Sequence, residues 1–256
     1  CSSDLYRNQW FGSVDGNTAF ATYAGAFDMP IRLKNADVVG AGLYVFNDAS
    51  SGGRLTNLTI MASGAYHKTL GANKNHAVSL GIQVGYTQRR LDLANITFAD
   101  DILDLQDLGA IDPGSSENFD DDATGAADVA LGLLWNSQFG KRVNAYAGVS
   151  MFHLFEPQLS FLAEDDFRLA RRITAHGGVD VRVGDNVSII PSVIFMNMAQ
   201  INYINYGIAA GFDVADETAL FIGIYNRWDE SVIPYVGLDL KGFYNLDSYR
   251  KNLVPF

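Results

Sequence analysis

Carboxylates are the side chains here with the most capacity for chemistry, and they gather in one stretch. From Leu91 to Ala127, with Asp128 just after, the chain carries Asp92, Asp100, Asp101, Asp104, Asp107, Asp112, Glu117, Asp120, Asp121 and Asp122. Oxygen ligands gathered this way suit a hard cation such as calcium, with Asp120, Asp121 and Asp122 as the candidate ligands. The spacing is not that of an EF-hand loop. A solvated loop held open by like charge has the same composition.

A second concentration lies in the connection Glu156 to Arg172, where Glu164, Asp165 and Asp166 stand beside Phe161, Leu162 and Phe167. Apolar side chains in a long surface loop mark a contact with a partner, and this loop is a candidate for one. A loop folded over the mouth of a barrel is the alternative. His67, His76, His153 and His176 are scattered without metal-ligand spacing. His176 and Asp180 share one side of a strand, where they read as an interior polar pair. No Gly-x-Ser-x-Gly elbow is present, so the expectation is a protein that is not an enzyme. Cys1, followed by Ser2, Ser3 and Asp4, matches a lipoprotein start after signal cleavage, though such a start is more often the first residue of a fragment.

These residues must be held by regular structure, and periodicity shows which kind. Between His76 and Tyr86, Val78, Leu80, Ile82, Val84 and Tyr86 alternate with Ala77, Ser79, Gly81, Gln83 and Gly85. A period of two is a strand with chemically opposite faces. The run Ile173 to Val183 repeats it, as do Val39 to Val45, Leu58 to Tyr66, Val129 to Trp135, Val143 to Met151, Leu220 to Ile224 and Val232 to Leu240. Segments of this kind number about thirteen, and most last roughly 9 to 13 residues, the length that crosses a bilayer when tilted. Small and polar residues on one face suit a lumen, and Val, Ile, Leu and aromatics on the other suit lipid. Trp10, Tyr44, Tyr66, Tyr86, Trp135, Tyr225 and Trp228 are placed to form an interfacial girdle.

Connection lengths give an independent test. Short ones at Lys34 to Ala36, Gly71 to Asn75, Ser137 to Gly140, Gly184 to Asp185, Ala215 to Glu217 and Lys241 to Gly242 interleave with the rest. The others are Phe11 to Asn17, Asn47 to Arg54, Arg89 to Thr124, Glu156 to Arg168, Asn197 to Gln200 and Asn226 to Ser231. Long loops on one side and short turns on the other describe an outer-membrane barrel of one domain, spanning 1–256. An even strand number requires a fourteenth strand beyond Phe256, so the chain is expected to be incomplete.

Composition agrees with this reading. The chain has 256 residues, 48% hydrophobic and only 18% charged, with 25 glycines and 6 prolines. Its net charge of −11 opposes binding to nucleic acid. No apolar stretch approaches the ~18 residues of a spanning helix, and one cysteine allows no internal disulfide.

The run Tyr6-Arg7-Asn8-Gln9-Trp10 with Gly12 after it resembles the PorP/SprF family of the Bacteroidetes type IX secretion system. So does Tyr225-Asn226-Arg227-Trp228-Asp229-Glu230-Ser231-Val232-Ile233-Pro234-Tyr235-Val236-Gly237-Leu238-Asp239, and Gly42 to Asp48 fits a third family segment. The resemblance covers nearly the whole chain. It implies an outer-membrane barrel that works with type IX components and helps export or anchor a secreted surface protein, such as an adhesin of the gliding machinery. It singles out Arg7, Trp10, Arg227 and Asp229, for which a structural role is expected, the arginines pairing carboxylates inside the barrel. A segment ahead of Tyr6 and the last strand of the family pattern are not in the chain. From the residues alone, a solute channel and an outer-membrane hydrolase are the competing readings.

Overall fold

Strand after strand pairs with its successor, because each connection turns the chain back beside the strand it has just left. The computed structural model describes residues 2–11, 18–33, 37–50, 55–71, 73–92, 122–161, 168–215 and 218–240. They form β1 (Ser2–Phe11), β2 (Thr18–Arg32), β3 (Val38–Ser50), β4 (Leu55–Leu70), β5 (His76–Leu91), β6 (Ala123–Phe139), β7 (Val143–Phe152), β8 (Arg172–Arg182), β9 (Val187–Met198), β10 (Ile201–Ala215), β11 (Thr218–Arg227) and β12 (Ser231–Leu240). All twelve lie in one sheet in sequence order, each antiparallel to the next. Among the described residues β1 and β12 each pair on one side only, so these strands form a barrel wall that they do not themselves close. The described strands number twelve against about thirteen expected, and the segment expected after Lys241 to Gly242 lies outside the described residues.

The two faces are sorted as the alternation requires. On β5 Leu80 is 61% exposed, whereas Ser79 is 5% exposed. Leu80 is in register with Tyr66 on one side and Leu133 on the other, and Leu133 with Val149. Phe27, Leu43, Ile60, Ile82, Val193, Ile208 and Ile222 continue this exposed apolar band around the wall. In water such a surface would drive aggregation; in hydrocarbon it is the favourable one. The inward face carries Met61, Ser63, Ser79, Gly81, Gln83, Thr87, Gly132, Thr174 and Ala209, small or polar residues that leave room behind the wall.

Outward aromatics sit toward the strand ends, with Tyr66, Trp135 and Phe139 at the short-turn end and Tyr23, Tyr86 and Tyr206 at the other. Trp135 meets Phe139 at 6.2 Å between ring centroids, and Tyr206 meets Trp228 at 6.4 Å. These are the belts of a membrane interface. Two members of the expected girdle belong elsewhere. Tyr44 stacks on Phe46 two residues along, on the inner side with its register partner Met61, and Tyr225 packs edge-on against Tyr235 on the inner side. Parity decides the side, and an aromatic at an even or odd position follows its strand.

Strands β4, β5 and β6 run 16, 16 and 17 residues. At ~3.3 Å per residue and a ~40° tilt, sixteen residues climb about 40 Å, beyond a ~25 Å apolar band. The apolar outer row of β5 ends at Tyr86, and Gln88 and Arg90 continue outward past it. The long strands therefore project from the membrane at the end that carries connections 51–54, 92–122 and 153–171.

Candidate functional site

The projecting end of β6 creates a problem of backbone satisfaction that the β7–β8 connection solves. β6 pairs with β5 as far as Arg90↔Ala123, but with β7 only as far as Leu131↔Met151. Val129 therefore presents its N–H and C=O to an edge that no strand covers. The carboxylate of its neighbour Asp128 accepts that N–H at 2.8 Å, and the N–H of Leu154 donates to the Val129 carbonyl at 3.0 Å. His153 then donates from Nδ1 to the other Asp128 oxygen at 2.7 Å. The Asp128 side chain is 1% exposed, so both of its oxygens need donors, and both have one.

The other described residues of the connection are bonded to one another. Leu169 N–H donates to the Pro157 carbonyl at 2.9 Å, Gln158 bridges Arg168, and Arg171 Nε donates to the Leu154 carbonyl at 3.1 Å. Leu159 is 2% exposed beneath it. His153 and Glu156 hold φ values of 56° and 50°, the left-handed region that turns the chain sharply back onto β6. The result is a strap along the uncovered edge of β6, which presents Phe155 outward at 71% exposure.

Inside the wall, polar groups pair across strands. His67 Nδ1 meets Ser79 Oγ at 2.6 Å, Thr22 donates to Asp48 at 2.5 Å, and Arg182 holds Asp213 at 3.0 Å. His176 and Asp180 do not pair. Four residues along a strand lie about 13 Å apart, so a shared face does not bring them together. The His176 ring instead packs over Gly148, where a Cβ would come within 2.6 Å of it, and lies 6.0 Å from the Tyr146 ring.

At the opposite end, the connection 33–37 closes on a buried carboxylate. Asp37 accepts from Tyr66 Oη at 2.6 Å, Lys68 Nζ at 2.9 Å and the Thr69 N–H at 3.1 Å. The Tyr66 hydroxyl and then the Lys68 ammonium hold its pKa down at about 2, against the upward pull of burial.

The residues expected from sequence fall unevenly on this frame. Asp122 pairs with Arg90 at 3.1 Å on the exposed rim, while Asp120 and Asp121 lie outside the described residues, as do Leu162, Glu164, Asp165, Asp166 and Phe167. Among the described residues no three His, Cys, Asp or Glu side chains gather to hold a metal ion. Phe161 ends the described part of the strap. Arg7 and Trp10 lie on β1, of which the backbone is described. Arg227 pairs with Glu230 at 2.8 Å, with its guanidinium 5.1 Å from the Tyr203 ring. Asp229 instead occupies the turn 228–230 at φ 58°. The pair that sequence reasoning missed is Asp128 with His153, whose 25-residue separation forms no motif. The available signal was a charge at an inward position between Ala126 and Ala130.

A model of a protein family described as type IX secretion system membrane protein PorP/SprF matches residues 3–253. The chain belongs to the PorP/SprF family. This member is an outer-membrane protein of the type IX system, and other components of that system are its partners. No curated protein matches the chain in sequence. Among solved structures, it is similar to a Pseudomonas aeruginosa FadL homologue at 10% identity and a TM-score of 0.52, covering 87% of this chain and 64% of that one. It is also similar to the CymD monoaromatic hydrocarbon channel at 9% identity and a TM-score of 0.50, covering 91% and 74%. Both likenesses concern the fold, an outer-membrane β-barrel.

Proposed function

We propose that this PorP/SprF barrel helps export or anchor a secreted cell-surface protein, such as an adhesin of the gliding machinery, and that it does so without catalysis. The observation that carries the reading is the match of residues 3–253 to a type IX family on a wall whose long connections all leave at one end. The strap, with Phe161, Leu162, Glu164, Asp165, Asp166 and Phe167 on it, is the proposed contact for that partner. The exposed Phe155 supports this, as an aromatic on a structured surface loop is a common anchor. Calcium held by Asp120, Asp121 and Asp122 would stiffen the neighbouring acidic connection; titration calorimetry on the wild type and the triple asparagine variant tests that.

The decisive experiment is affinity purification from native outer membrane with identification of what co-purifies. A large type IX substrate should be recovered, and deletion of 159–167 should reduce its recovery. Undiminished recovery removes the contact, and no type IX substrate at all removes the function. A second reading, a channel for a small solute, draws support from the polar inner face around Ser79, Gln83 and Thr174. Conductance in planar bilayers separates the two, because steady ion flow through the purified barrel would favour the channel.

A further inference from the structure

The lipid-facing side is not smooth. Across β8 to β12 it is hollowed into a groove of about 840 Å³, lined by Gly177, Pro191, Val193, Ile208, Ile224 and Val232. All of these stand on the outward parity, and the register sets them side by side: Gly177↔Val193, Pro191↔Ile208 and Ile208↔Ile224. The hollow has a local cause. Gly177 brings no side chain to the surface, and Pro191 has no N–H for the ladder. Partners between β8 and β9 accordingly run to Gly178↔Ser192 and resume only at Val181↔Ile189.

The groove has a direction. It runs across the strands from Gly177 and Pro191, within β8 and β9, to Val232 beside the turn 228–230, at the long-loop end. Its floor is apolar. Polar side chains on the outward side come only near the top, with the Tyr206 hydroxyl and Asn226, and there Tyr206 lies against Trp228 at 6.4 Å. An apolar slot that opens at an aromatic belt has the shape of one lipid, with its tail below the interface and its polar group at it.

We propose that this groove binds an acyl chain of a lipid from the long-loop leaflet and retains it in preference to the lipid around it. The groove is continuous with the apolar band that already faces the bilayer. A hollow there forfeits van der Waals contact unless something apolar fills it, and the acyl chains of the bilayer are the material at hand. Its volume falls in the ~300–1,000 Å³ range of sites for small molecules.

Native mass spectrometry of the full chain, stripped stepwise of lipid by detergent, reads this out. The wild type should keep one lipid after bulk lipid is gone. Val193→Trp and Ile208→Trp, which fill the groove, should lower retention about tenfold. Ile222→Trp, outward but outside the groove, should leave it unchanged, and heat-dependent gel mobility shows that each variant is folded. Equal loss in all three variants, retention unaffected by filling, or a wild type that keeps no lipid would each overturn the proposal. So would a stoichiometric polypeptide released from the groove on filling.

Discussion

Two carboxylates anchor opposite ends of the wall, and each sets a testable behaviour. Asp37 has a folded pKa of about 2 against an ordinary value of 3.8, so it favours the folded state when ionised. That contribution is complete above pH ~4 and is lost as pH falls toward 2. Thermal unfolding of wild type and Asp37→Asn in the same detergent should therefore differ at pH 6 and converge near pH 2. A constant difference across that range would refute the role. Asp128 differs, since its partner His153 sits on a connection and not on a strand. His153→Ala leaves one buried carboxylate oxygen without its donor, at a cost of about 1–3 kcal/mol. The cost falls on the strap, so limited proteolysis within 153–171 should accelerate about tenfold while the wall stays intact. Unchanged cleavage would mean that Leu159 and the Leu154 hydrogen bonds hold the strap alone.

Strands were the most legible elements, because alternation is imposed on them by two solvents at once. The contrast is sharpest on β5, and the sharpest test lies there. Ile82 faces hydrocarbon and Gln83 the lumen, one residue apart. Ile82→Arg should cost about 2–4 kcal/mol of stability in a bilayer if it lies near midplane. Gln83→Arg should be tolerated, and denaturant unfolding in vesicles compares them; equal costs would mean that the faces are misassigned. Where the membrane ends, so does the signal. The connection expected at Asn47 to Arg54 shrinks to 51–54, because Asn47 and Asp48 continue β3 opposite Leu58 and Asn57. These residues are polar on both faces and stand beyond the apolar band, so no alternation marks them. The connection expected at Asn197 to Gln200 is there, and it is tighter. Met198 pairs with Ile201 around Ala199 and Gln200, at φ 48° and 69°, a two-residue hairpin geometry usually signalled by Asn-Gly. The strap was read as a long connection from Glu156 but not as a folded one, since the bonds that hold it join residues of unrelated spacing: Asp128 with His153, and Gln158 with Arg168.

At the scale of the molecule, the consequence that matters for secretion is orientation. Connections 33–37, 71–75, 140–142 and 183–186 leave one end of the wall, and 51–54, 92–122, 153–171 and 228–230 leave the other. Outer-membrane barrels keep short turns inside and long loops outside. The strap should thus face the cell exterior, where a secreted surface protein would be met. Single cysteines decide this once Cys1 is replaced by alanine. Gln158→Cys lies on an exposed part of the strap and Lys141→Cys on an exposed turn at the opposite end. A membrane-impermeant maleimide applied to intact cells should label the first and spare the second, and both should label after the outer membrane is opened. The reverse pattern would place the strap, and with it the proposed partner contact, in the periplasm. Exported substrate would then meet the barrel before crossing the membrane and not after, and the anchoring reading would give way to one of capture from inside.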